Sequence, residues 1–401
     1  KETNDTLQKK YKENTDKNIL SRLNKEIDSK GLIHVLRKGF NDVHGGNIKT
    51  LFFQSNSSLN QERRKKYIQN KFLLVRQLHY SPNNNNSLDI VVFINGIPIL
   101  TIELKNQLTG QTVENSDKQY RFDRNPKGEP LLKFQRCICH FSVDNDKVNM
   151  TTKLDGKDTF FLPFNKTLNN LETKSDGFKV DYLWKEVLTP TSLLDIIENF
   201  VLFTNSSDYL WSDEKRKVIE KKKPVLIFPR YHQLEVIRKL KSQVTKDGVG
   251  TNYLVQHTTG SGKSYSIGWL SHTLTSLYQK KGDTKRMFDT IIVVTDRPVL
   301  DDQLRNTIRS LEKIDGVVSG VEHGSQELKK FLEQGKDIII TTIQKFPFIS
   351  ETIASLGDRT FGVIIDEVHS SQSGELSKEL KKSLSKTDDD DEFDYEEMLR
   401  Q

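Results

Sequence analysis

The sequence predicts an α/β protein in two parts, a first domain that is strand-dominated at its centre and a second, doubly wound α/β domain. Three observations predict it. The stretch LDIVVFINGIPILTIELK is apolar at most positions, carries the turn-forming pair Asn95-Gly96 at its middle and reads as a β-hairpin. A glycine-rich loop, HTTGSGKS at 257–264, lies between the apolar run YLVQ and the helically periodic SIGWLSHTLTSL. Four apolar runs of strand length, YLVQ, TIIVVT, DIIITT and GVIID, are separated by polar segments of helical length, the pattern of a parallel sheet buried on both faces.

The composition agrees with this. At 401 residues the chain is long enough for about two to three domains, each with its own core. With 34% hydrophobic and 29% charged residues it suits a soluble globular protein and excludes extended disorder. The net charge of +6 permits nucleic-acid binding without arguing for it. Cys137 and Cys139 are too close to bridge comfortably, and with His140 they leave a zinc site short of a fourth ligand, so they read as alternating strand residues. No signal peptide or membrane-spanning apolar run stands out, so a reducing, cytoplasmic compartment is expected.

In chain order, residues 1–30 are polar with Leu20, Leu23 and Ile27 at helical spacing, and Gly31 follows as a C-cap. The apolar stretches LIHVLRKGF, TLFFQ and KFLLVRQLHY then lead to the hairpin, separated by turn-rich NDVHGGN and SPNNNNS. The charged stretch SSDYLWSDEKRKVIEKKKP, ending at Pro224, reads as a helix and linker. The expected organisation is therefore a first domain at 1–205, a linker at 206–224 and a second domain at 225–401. The acidic tail KTDDDDEFDYEEMLRQ reads as solvated loop.

Thirteen residues separate Asp89 from Glu103 across the hairpin, and Lys105 follows, a D…ExK arrangement. Two carboxylates and a cation are the parts that metal-dependent phosphodiester hydrolysis needs: the acids to hold a divalent metal, the lysine to offset charge at the reacting centre. Glu103 and Lys105 share one strand face, with Ile102 and Leu104 on the other. A two-residue loop at Asn95-Gly96 in a regular hairpin pairs Asp89 with Ile102, on the wrong face. A metal site thus requires a three-residue connection or a bulge near Asn95–Pro98, and Pro98, which lacks an N–H, is a natural place for it. After the hairpin, Gln119 and Tyr120 in NSDKQYRF are placed for a helix to return towards the acids; the bland alternative is a polar helix surface.

In the glycine-rich loop, Thr259, Gly260, Ser261 and Gly262 supply backbone N–H groups to phosphates, Lys263 reaches the β and γ phosphates of ATP, and Ser264 ligates Mg²⁺. His257 stands where the commonest pattern has glycine. Asp366 and Glu367, at the end of GVIID, complete the motif: Asp366 to hold Mg²⁺ through water, Glu367 to position or deprotonate the attacking water, with His369 beyond. Arg230, Tyr231 and Gln233 in FPRYHQLEV fit an adenine site, Gln233 by hydrogen bonding and Tyr231 by stacking. VVTDRPVLDDQ and TTIQKF sit where strand ends contact a nucleic-acid backbone.

These blocks, from LRKGF and YIQNKFLLVRQLHYS through FINGIP, ELKN, RYHQLEV, HTTGSGKS, TDRPVLDDQ, TTIQKF and IIDEVHSSQSG, resemble in their order the motor subunit of type I restriction enzymes over about residues 31 to 375. The resemblance implies a PD-(D/E)xK nuclease domain, a mixed sheet flanked by helices, followed by the first RecA-like domain of a superfamily 2 translocase with a mostly parallel sheet. It implies Asp89, Glu103 and Lys105 as the nuclease core and Lys263, Asp366 and Glu367 as the ATPase core. Its Q-x-x-x-Y motif puts glutamine at 116, where Ser116 stands, so Tyr120 carries over more safely than Gln119. An acidic residue on an early helix is also implied, either Glu13 or Glu26. No second-lobe motif follows Asp366, so these residues are expected to be an N-terminal fragment that hydrolyses ATP poorly. The implied partners are double-stranded DNA, gripped through its backbone, and the methylase and specificity subunits. Two rivals are a superfamily 2 helicase or remodelling ATPase whose first domain only binds DNA, and an assembly module with both sites vestigial.

Overall fold

In the computed structural model, the residues described are 2–54, 61–171, 177–212, 217–278, 285–295, 298–312, 316–321, 324–342, 344–345, 356–357 and 359–366. By compactness the chain divides into residues 1–236 and 237–401.

The first unit opens with α1 (Glu2–Tyr11), α2 (Thr15–Lys30) and α3 (Leu32–Lys38). Gly31 ends α2 with φ +83°, its N–H donating to the Ile27 carbonyl, which is the C-cap expected of it. LIHVLRK, one of the apolar stretches leading into the strand-dominated centre, is instead helical because Leu32, Ile33, Val35 and Leu36 all find burial on one helical face. A short ladder, β1 (Phe40–Asp42) with β2 (Gly46–Ile48), precedes α4 (Gln61–Ile68). A six-stranded mixed sheet follows, built from β3 (Phe72–His79), β4 (Ser87–Ile94), β5 (Ile97–Leu104), β6 (Cys139–Val143), β7 (Val148–Thr151) and β8 (Leu162–Pro163) in that spatial order. Only β5 and β6 are parallel, and α5 (Val113–Phe122) lies in the crossover between them.

The sheet's centre carries a buried polar layer. Thr101 Oγ1 on β5 shares 2.8 Å hydrogen bonds with both the Tyr120 hydroxyl on α5 and His140 Nδ1 on β6. Cys137 and Cys139 are free and buried; Cys139 opens β6, whereas Cys137, expected as a strand residue, precedes the strand, and Ile138 between them is equally buried. Next come α6 (Pro190–Asp195) and its π-helical continuation Ile196–Phe200, tied down by Arg37, whose Nε and Nη2 donate to the Ile197 and Val201 carbonyls.

Of residues 206–224, expected as a helix and linker, the described ones, 206–212 and 217–224, instead lie in a two-stranded antiparallel ribbon of β9 (Leu202–Ser212) and β10 (Lys217–Ile227). Pro224 pairs opposite Asn205, and a two-stranded ribbon tolerates it because each strand has a side without ladder partners.

Helix α7 (Tyr231–Asp247) carries the chain across the division into the second unit. There α8 (Lys263–Thr275), β11 (Thr290–Thr295), α9 (Pro298–Ser310), β12 (Val318–Gly320), α10 (Ser325–Glu333), β13 (Ile338–Thr342) and β14 (Phe361–Ile365) form a parallel sheet of order β12-β13-β11-β14 with helices. Alternation explains its double winding. Ile291, Val293, Ile338 and Ile340 pack with Leu274, Leu304 and Ile308 from α8 and α9, while Ile292, Val294 and Ile339 pack with Leu328 and Leu332 from α10. Each such side chain contributes about 1.5–3 kcal/mol by leaving water. YLVQ, expected as the strand before the glycine-rich loop, forms none: Tyr253 and Val255 are exposed, and the Tyr253 hydroxyl donates locally to Asp247. An apolar run becomes a strand only where a ladder partner takes its backbone groups.

His140 generates a pH prediction. Burial pushes its pKa down to about 4 from 6.5, so the folded state holds it neutral while the unfolded chain takes up a proton. Stability from this residue is therefore complete above pH 6.5 and falls as pH drops towards 4. Between pH 7 and pH 5, urea unfolding should show wild type losing about 2 kcal/mol more than His140→Asn. Equal losses in the two proteins would exclude His140 as the acid-sensitive group.

Candidate functional site

The turn of the β4–β5 hairpin is the two-residue Asn95-Gly96, both at positive φ, +51° and +80°. Asn95 is held by its side chain, Nδ2 donating to the Thr50 carbonyl and Oδ1 accepting from the Lys71 N–H. Beyond the turn Ile94 pairs with Ile97 and Phe93 with Pro98, but Val92 pairs with Leu100. Ile99 is the extra residue of a β-bulge, one position past the span in which the sequence required it. From there Ile90 pairs with Ile102, so the next positions along, Asp89 and Glu103, lie opposite one another.

Glu103 is completely buried, and Asp89 is half-buried at the rim. Asp89 Oδ1 accepts from Gln77 Nε2 and Oδ2 from the Leu104 N–H, both at 2.8 Å. Burial pushes the Glu103 carboxyl up to about 7; Arg124 opposes the rise, and the charge and contact of Asp89 reinforce it. Glu103 Oε1 accepts from Arg124 Nε at 2.7 Å, whereas Oε2 is buried without a hydrogen-bond donor. That orphaned oxygen beside a second carboxylate fits a divalent cation, which can bind where a donor is missing and two negative charges meet. The acids expected on an early helix do not join it. Glu13 lies exposed on the 3₁₀ turn Lys12–Asn14, Glu26 is paired with Lys30 and Arg22, and no third acidic, His or Cys side chain completes a group among the described residues.

Lys105 follows β5 on the Glu103 face, and its Nζ donates to Gln119 Oε1 on α5. The helix is positioned by Ser116, whose hydroxyl donates to the Glu103 carbonyl, and by Val113, whose N–H donates to Asp144 Oδ2. Gln119 therefore meets the site, and Tyr120 does not meet it as expected. Tyr120 is completely enclosed, burial holds its pKa well above the phenol range, and its hydroxyl is engaged with Thr101. It locks α5 onto β5 rather than contacting a substrate. Arg124 escaped sequence reasoning because it lies 21 positions from Glu103, with no local spacing to signal the pair.

In the second unit Gly260 and Gly262 take φ +78° and +84°, and the loop turns through a Ser261 N–H to Thr258 carbonyl bond. Gly262 is the N-cap of α8, which begins at Lys263, with Ser264 in its first turn. A glycine loop that runs into a helix N-terminus is an arrangement whose backbone N–H groups can receive phosphates. Asp366 follows β14, its N–H donating to the Val294 carbonyl, and α8 packs against β14. Glu367 and His369 lie outside the described residues. Thr295 and Thr342 end β11 and β13, the strand ends anticipated for nucleic-acid contacts.

Arg230, Tyr231 and Gln233 belong to the first unit. Tyr231 is buried edge-on to Tyr182 at 4.9 Å and to Phe164 at 5.9 Å, with Lys166 over its ring and its hydroxyl donating to Glu186. Stacking on adenine, expected of it, does not suit a ring so enclosed. Gln233 Oε1 accepts from the Arg230 N–H, capping α7, a use of the amide that the sequence left open.

Two families match the chain, the type I restriction enzyme R protein N terminus over residues 1–159 and the SWI2/SNF2 ATPase over residues 232–388. Similar proteins include the putative type I restriction enzyme MjaVIIIP endonuclease subunit of Methanocaldococcus jannaschii, 25% identical over 79% of this chain and 30% of its own length. The type I restriction enzyme SsaAORF53P endonuclease subunit of Staphylococcus saprophyticus is 24% identical over 78% of this chain and 30% of its own length. The type I restriction enzyme HindI endonuclease subunit of Haemophilus influenzae is 27% identical over 77% of this chain and 28% of its own length. The chain thus spans about 30% of the length of the curated relatives it matches. A bulged hairpin joining two acids, a glycine loop leading into a helix and these matches agree in one likeness: the chain is similar to the R subunits of type I restriction enzymes, matching their N-terminal family over its first part and an ATPase family over its second.

Proposed function

We propose that this chain carries the DNA-cutting and ATP-driven parts of a type I restriction endonuclease, the first in a PD-(D/E)xK unit and the second in a RecA-like unit. The observation that carries the reading is the bulge at Ile99, which brings Asp89 level with Glu103 while Lys105 extends from the same strand face. Double-stranded DNA held through its phosphates is the substrate, and methylase and specificity subunits are the partners.

In the cutting site Asp89 and Glu103 hold Mg²⁺, whose chemistry when bound is to polarise the phosphate and lower the pKa of water. Lys105 offsets the charge that develops on the phosphodiester, and Gln119 fixes its ammonium so that no reorganisation is needed during reaction. In the motor site the backbone of Thr259 to Gly262 cradles the phosphates of ATP, and Lys263 neutralises them. Ser264 and Asp366 hold the second Mg²⁺, and Glu367 activates the attacking water. The division of the chain at 236/237 keeps the two acid sites on separate cores.

Glu103→Ala in the reconstituted restriction enzyme should lower strand scission at least about a hundredfold while ATP hydrolysis continues. Lys263→Ala should do the opposite at the motor, ending ATP hydrolysis and translocation-dependent cleavage with the first unit's stability unchanged. Normal cleavage by Glu103→Ala would eliminate the nuclease assignment. Gln119→Ala should cut the cleavage rate about ten- to a hundredfold through a misplaced Lys105, with Mn²⁺ affinity unaltered; weakened Mn²⁺ binding would instead make Gln119 part of the metal's own surroundings.

A further inference from the structure

Arg124 lies just past the C-cap of α5 and is nearly enclosed, its side chain 8% exposed. It reaches both acid-bearing strands. Its Nε donates to Glu103 Oε1 on β5 at 2.7 Å, and its Nη2 donates at 2.8 Å to the carbonyl of Ser87, the first residue of β4 and two positions before Asp89. The ring of Tyr80 stands 6.0 Å from the guanidinium carbon. Oε1 of Glu103 is thereby occupied, and Oε2, buried and without a donor, is the oxygen left for a cation.

We propose that Arg124 is a positioning residue for the cation site of Asp89 and Glu103: its guanidinium, clamped between Glu103 Oε1 and the Ser87 carbonyl, fixes the Glu103 carboxyl group so that Oε2 remains available to a divalent ion. This inference rests on the cation-site reading proposed above. The fork geometry is essential to it. A guanidinium can serve the carboxylate and the carbonyl with two nitrogens held in one plane, whereas a lysine ammonium is a point charge that keeps the counter-charge and loses the fixed geometry. A competing role, Arg124 as a cation that excludes the metal by repulsion, predicts the opposite sign, because removing it then tightens metal binding.

The test measures Mn²⁺ binding to the 401-residue chain by calorimetry, without DNA or nucleotide, and takes the binding lost in Glu103→Gln as that of this site. Arg124→Ala should weaken it about ten- to a hundredfold, in the range seen when partners that orient metal ligands are removed. Arg124→Lys should fall between Ala and wild type, and added ethylguanidinium should restore part of the affinity of Arg124→Ala. Should the alanine protein fail to fold by near-ultraviolet circular dichroism, Arg124→Gln, which keeps most of the stem, makes the same comparison. Unchanged or tighter Mn²⁺ binding in the folded variants overturns the positioning role. Identical binding by wild type and Glu103→Gln overturns it too, by removing the cation site itself, and this result differs from the first because it appears before Arg124 is touched.

Discussion

A carboxylate with no exposed surface, Glu103 in the middle of a sheet, is the constraint around which the first unit is organised. An isolated buried charge costs several kcal/mol unless it is paired, so the fold must bring compensation to it. Arg124 arrives from the end of α5, Ser116 fastens that helix to the Glu103 carbonyl, and Tyr120 pins it to Thr101. The compensation is incomplete at Oε2, and Asp89 stands beside it with a second negative charge. A fold selected for stability alone has no use for that pairing; a site for a cation does.

The bulge at Ile99 is the backbone counterpart of this constraint. Because strand side chains alternate, one extra residue in β5 moves every later position to the other face relative to β4. The tight Asn95-Gly96 turn sets the near end of the ladder, the bulge resets it, and Asp89 then meets Glu103. The second unit meets its requirement differently. Its parallel sheet is apolar on both faces, and its polar chemistry lies at the edges of that core, where a glycine loop opens onto the start of α8 and Asp366 follows β14.

Legibility in the sequence followed the range of the interactions. The hairpin, the Gly31 cap, the glycine loop and the strands TIIVVT, DIIITT and GVII depend on period, turn residues and short spacing, all of which lie within a few positions along the chain. The need for a bulge was also legible, since it follows from counting residues around a turn. The errors fell where a segment's fate depends on what it packs against. LIHVLRK is apolar enough for strand or helix and was decided by burial; YLVQ lacks a ladder partner; in the charged linker stretch, residues 206–212 pair with residues 217–223.

The same divide runs through the sites. The sequence by itself determined which residues are the candidates for chemistry, Asp89, Glu103, Lys105 and the Thr259–Ser264 loop, because their spacing is short and the backbone periods convert it to a common face or a common loop. Only the tertiary structure decided that Gln119 rather than Tyr120 touches Lys105, that Tyr231 is walled in by Tyr182 and Phe164, and that Arg124 neutralises Glu103. Those outcomes turn on the rotation of a helix about its axis and on contacts between residues tens of positions apart, and packing against the sheet sets both.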